Sequence, residues 1–200
     1  MLPVDSDKNR SAGFDFTGSM TLLVEDIVKT HPSFCHIRPE NILIAISHSN
    51  GSDHGVIAKL RPLRFEGSPR IYRRILHPDI NINGNDILYV VYFCLPRYLN
   101  HGAFEDKLAT VLHELYHISP LFNGDIRRFE GKNYAHGNSK EEYNKLINMY
   151  ADEYINSTCR PELSMFLESR CSDLKSRYGA VYGDMIRISR PKPLIYSRRV

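Results

Sequence analysis

Residues 104–120 read FEDKLATVLHELYHISP. Phe104, Leu108, Val111, Leu112 and Leu115 recur at helical spacing on one apolar stripe, and Pro120 closes the segment. With successive residues about 100° apart and Leu108 at the origin, His113 falls at about 140° and His117 at about 180°. Asp106, Ala109 and Thr110 share that side and are small or polar. The spacing therefore predicts a helix that packs its apolar side inward and turns two imidazoles toward a cleft. Just upstream, residues 87–95 (ILYVVYFCL) are apolar at every position facing either side, the strongest strand signal in the chain, and Pro96 ends it.

Working outward, residues 17–31 carry Met20, Leu23, Ile27 and Val28 at helical spacing, with Pro32 as the stop. Residues 41–48 (NILIAISH) and 55–60 (GVIAKL) are β-branched runs separated by Ser49-Asn50-Gly51-Ser52-Asp53, a hairpin signal. Residues 70–76 alternate like a strand, and residues 81–86 supply a turn. Residues 120–138 read as a loop. Ser139 opens a second helix reaching Thr158, with Leu146, Ile147, Tyr150 and Tyr154 on its core face. Pro161 starts a short helical piece, and residues 182–188 read as a returning strand. Residues 1–16 are polar without a period and read as a loose arm. Residues 17–200 then form one domain with a basic C-terminal extension over residues 170–200. The fold class is α+β: a small mixed or antiparallel sheet of about four strands, with the two later helices covering one face.

The chain has 200 residues, 42% hydrophobic and 24% charged, which excludes a disordered or fibrous protein. Its apolar runs fall far short of the roughly 20 residues that span a bilayer. No basic start precedes an apolar core at the N-terminus, so no secretory signal is expected. Cys35, Cys94, Cys159 and Cys171 form no CxxC pair, which excludes a zinc ribbon and a thioredoxin-like motif. They read as ordinary buried residues of a reduced, cytoplasmic protein. The net charge of +3 is too small to argue for nucleic acid. Residues 170–200, however, hold eight Lys and Arg against two Asp. That end is either a contact for a phosphate backbone or acidic partner, or a solvated basic tail.

The chemistry sits in HELYH. His113 and His117, four residues apart, lie one helical turn apart on one face, the reach needed to bind a single zinc ion. Glu114 lies beside them, placed to take a proton from a water that the metal activates. A hydrolytic zinc needs a third protein ligand. Asp125, Glu130, His136, Glu141 and Glu142 are candidates downstream. His136 is favoured, because in Ala135-His136-Gly137 the glycine lets the chain bend closely around a site. Ser139-Lys140-Glu141-Glu142 reads as a capping box, which assigns Glu142 to a helix end and turns Glu141 outward. Tyr134, Tyr143, Arg127 and Arg128 are possible oxyanion or substrate donors, and the sequence does not choose among them. The charged set around Arg127 and Arg128 reads equally as ion pairs that lock the loop. A peptide commonly adds as a strand to an exposed sheet edge. Residues 87–94 are the candidate edge, with burial at the sheet centre as the competing reading.

The stretch HELYHISPLFNGDIRRFEGKNYAHGNSKEEY, residues 113–143, resembles the HExxH metallopeptidases of phages and bacteria. More broadly, it is similar to the SprT-like zinc proteases and other minimal gluzincin-type zincins. The shared elements are HExxH on a helix, a loop, and a His-Gly step opening the next helix. By this resemblance His113, His117 and His136 are the zinc ligands and Glu114 the general base, and the upstream strands belong to a small zincin sheet. The loop between His117 and His136 is longer than in typical SprT-like members, and the Cys-rich ribbon many of them carry is missing. The resemblance implies a zinc metallopeptidase with one zinc ion per chain and a peptide or protein substrate. Two other readings compete. One is a non-catalytic, zinc-stabilised module that binds nucleic acid through the basic C-terminal surface. The other is a zinc amidase acting on a small peptide such as a peptidoglycan stem.

Overall fold

The computed structural model describes residues 13–49, 54–64, 75–76, 80–129, 139–188 and 192–193. In chain order the elements are β1 (Phe14–Asp15), α1 (Phe16–Thr30), β2 (Ile42–His48), β3 (Ala58–Pro62), β4 (Ile75–Leu76), β5 (Asn81–Ile82), β6 (Asn85–Asp86) and β7 (Tyr89–Leu95). Then follow α2 (Arg97–Asn100), α3 (Phe104–Tyr116), α4 (Lys140–Ser157), α5 (Cys171–Tyr178), β8 (Val181–Tyr182) and β9 (Lys192–Pro193). The fold mixes helices with sheets of mixed orientation.

Among the described residues the main sheet has three strands in the order β2-β7-β3, with β2 parallel and β3 antiparallel to β7. This overturns the hairpin expected between residues 41–48 and 55–60: β7 lies between them. The reason lies in composition. Every residue of β7 is buried, so both of its edges need a hydrogen-bonding neighbour. β3 carries Lys59 and Arg61 and ends on Pro62, which suits an edge. The same order corrects the candidate peptide-binding edge, since residues 87–94 run through the sheet centre and, among the described residues, β3 is the outer antiparallel strand. Three other pairs are two-stranded: β1-β8, β4-β9 and β5-β6. The expected turn in residues 81–86 is a tight hairpin with Asn83 at φ 53° and Gly84 at φ 86°, the positive values a type I′ turn demands.

One face of the sheet, with Ile42, Ile44, Ile46, Tyr89, Val91 and Phe93, packs against the apolar sides of α1 and α3. α1 starts where the Asp15 carboxylate accepts the Gly18 N–H at 3.0 Å, and it stops at His31, held extended before Pro32. α3 lies over β3, and α4 packs on α3 and α1. So α1 and α3 cover this face and α4 forms the outer layer, where the sequence placed α3 and α4 together. The opposite face buries Ala45, Val90 and Tyr92 with Leu63, Ile80 and Ile87.

The strand expected over residues 182–188 is confined to Val181–Tyr182, paired with β1. Beyond it the chain is a strap. Its carbonyls are collected by the Ile46 N–H (to Asp184), the Tyr92 hydroxyl (to Ile186) and the Arg61 guanidinium (to Ile188). One backbone N–H and two side-chain donors thus replace a second strand ladder. At the other end, Phe14–Asp15 and the fully buried Phe16 are built into the fold, which shortens the expected arm; residues 1–12 lie outside the described residues. Cys94 and Cys171 are buried as expected, whereas Cys35 and Cys159 are exposed. No helix among the described residues is long and apolar enough to cross a membrane.

Candidate metal centre

α3 presents its apolar stripe to the sheet through Leu108, Val111, Leu112 and Leu115, all buried. His113 and His117 lie on the opposite side, half-buried, as the wheel predicts. Their Nε2 atoms approach to 3.0 Å, with the rings 84° apart. Without a metal, this approach is a hydrogen bond between one ring N–H and the other ring's lone pair. Two nitrogens each about 2.05 Å from a tetrahedral zinc ion stand about 3.3 Å apart. The pair therefore needs a shift of only a few tenths of an ångström to share one ion. Imidazole nitrogen is a donor suited to zinc.

His117 is the C-cap of α3, and its backbone is pinned from both sides. Its N–H donates to the His113 carbonyl at 3.3 Å, and its own carbonyl accepts the Arg127 N–H at 2.7 Å. The loop between them folds back through an Ile118–Ile126 bridge. Tyr89 of the central strand holds its tip, accepting the Gly124 N–H at 2.9 Å and donating to the Asp125 carbonyl at 2.8 Å. A turn built on the sheet thus fixes the backbone of the second imidazole.

Glu114 is 7% exposed and turned toward the sheet edge, where its Oε2 accepts the Leu60 N–H at 2.6 Å. Burial raises its carboxyl to about 7, against the opposing pull of that N–H. Its carboxyl is thus poised to change protonation near neutrality, which general acid–base work requires.

Tyr143, from the first turn of α4, closes the site. Its ring stacks on His117 at 5.7 Å and meets His113 edge-on at 5.0 Å. Burial, and then the nearby Glu114 charge, push its phenol well above the usual range, so it remains a proton donor. Ser139 sets the start of that helix by accepting the Glu142 N–H at 3.2 Å.

The other sequence candidates separate. The Arg127 guanidinium lies 4.1 Å over the Tyr116 ring, and its Nε donates to the Tyr116 carbonyl. Arg128 forms an ion pair with Asp125 at 2.9 Å, the loop-locking role. Asp125 is thereby engaged, Glu141 pairs with Lys145 at 2.9 Å, and Glu142 is exposed at the helix start. Among the described residues no group of three His, Cys, Asp or Glu is arranged to hold a metal. His136, Glu130 and Tyr134 lie outside the described residues. Sequence reasoning missed Leu60, whose contribution is a backbone N–H, and the wall that Tyr116, Phe129 and Tyr150 build beside Tyr143. The aromatic wall could have been found from Tyr116 and Tyr150 falling on the facing sides of the two helices.

Compared with protein families, curated proteins and solved structures, the chain matches none of them.

Proposed function

We propose that the chain is a zinc-dependent metallopeptidase with a zincin-like fold. The observation that carries this reading is the convergence of the His113 and His117 nitrogens at 3.0 Å on a helix that also carries the buried Glu114 carboxyl. A structural zinc site has no use for a base held next to its ligands. His113 and His117 would hold the ion, and His136 is the proposed third ligand. A bound zinc ion would supply an activated water and polarise the substrate carbonyl. Glu114, with a carboxyl near 7, accepts the water's proton and passes it to the leaving amine. Tyr143, kept protonated by burial, donates to the developing oxyanion.

The test is cleavage of a mixed peptide library, read by mass spectrometry, with zinc-loaded wild type beside Glu114→Gln. The reading expects cleavage by the wild type and a loss of at least about 100-fold in the variant. Equal cleavage by both, or none by the wild type, overturns it.

A further inference from the structure

Glu114 reaches across to a strand 54 residues earlier in the chain. The pairing of β3 shows why that meeting is specific. The Cys94 N–H donates to the Ile57 carbonyl, and the Leu63 N–H donates to the Leu88 carbonyl. With the register of Ala58 opposite Phe93, Lys59 and Arg61 turn their backbone groups toward β7, and Ala58, Leu60 and Pro62 turn theirs outward. An outward donor on an edge strand ordinarily belongs to water. The Leu60 N–H instead meets the buried Glu114 carboxyl at 2.6 Å, a short and direct hydrogen bond. Pro62, the next outward position, has no N–H, so the contact cannot slide along the strand in that direction.

We propose that the backbone N–H of Leu60 is a positioning group for Glu114, fixing one carboxylate oxygen to the sheet edge. This rests on Glu114 serving as the base of the proposed hydrolase. A glutamate has three side-chain torsions, and a proton acceptor that must meet one water gains from having them locked by a rigid strand. No described group bonds the other carboxylate oxygen, which leaves it for the proton.

Two measurements on the whole chain test this. The first is amide hydrogen exchange by NMR in the metal-free protein. Glu114→Ala should speed exchange at Leu60 by about tenfold or more, with Lys59 and Arg61, paired to β7, unchanged. Exchange at Leu60 that ignores the substitution overturns the proposal. The second is kinetic. Leu60→Pro removes the donor at an outward edge position, where proline is tolerated, and should lower kcat by roughly 10- to 100-fold with KM within about twofold. Leu60→Val keeps the N–H and should restore kcat to within about threefold of wild type. Unchanged kcat in Leu60→Pro, or equal losses in both variants, overturns the positioning role alone. A wild type that shows the exchange contrast yet cleaves no peptide overturns the hydrolase reading while the contact stands.

Discussion

Glu114 spends stability to keep a carboxyl out of water. Its folded-state value of about 7 lies above the ordinary 4.5, so the native state holds a proton that the unfolded chain releases. The stability this contributes is complete below about pH 4.5 and is lost as pH rises through about 7. In urea unfolding of the metal-free chain, wild type should therefore weaken from pH 5 to pH 8 more than Glu114→Gln does. The difference at pH 8 is expected to approach roughly 3 kcal/mol. Tyr143→Phe removes the proposed oxyanion donor and should lower kcat by about tenfold or more without releasing zinc, read by parallel kinetics and metal analysis. At this scale the sequence is most legible where the chemistry is local. A four-residue spacing on a helix puts His113 and His117 together by geometry alone. The Leu60–Glu114 bond was not legible, because it depends on a strand register that no local pattern encodes.

Among the elements, the helices were legible and the strand partners were not. Pro32, Pro120 and Ser139 mark helix limits through φ restriction and capping, effects that act within one turn. The run from Ser49 to Asp53 looked like a hairpin turn by the same local chemistry, but the demand of β7 for two neighbours prevailed. Lys107 shows the same gap between pattern and packing. It lies in α3 among apolar residues, 2% exposed, and its Nζ donates to the carbonyls of Leu167 and Ser169 at 2.8 and 3.0 Å. Those carbonyls end a short 3₁₀ turn, so the buried ammonium ties α3 to the C-terminal segment. Lys107→Met should leave both carbonyls without this donor and cost about 2–3 kcal/mol in denaturant unfolding.

For the molecule as a whole, a single central strand organises both core and site. β7 buries side chains on both faces, supplies both ladder partners, and through Tyr89 holds the loop that fixes His117. The mixed helix-and-sheet class was legible from the change of period along the chain. The topology was not, because the parallel pairing of β2 with β7 spans a long connection. Tyr89→Phe should cost about 1–2 kcal/mol and speed amide exchange at Gly124, which measures how firmly the loop is tied to the sheet. All of this scaffolding converges on the two imidazoles, so the central claim is that they bind one ion together. Calorimetric titration of the metal-free chain with zinc tests it most directly. The account predicts about one tight equivalent for wild type, and affinity at least about 100-fold weaker in both His113→Ala and His117→Ala. Wild-type affinity retained in either variant would contradict it.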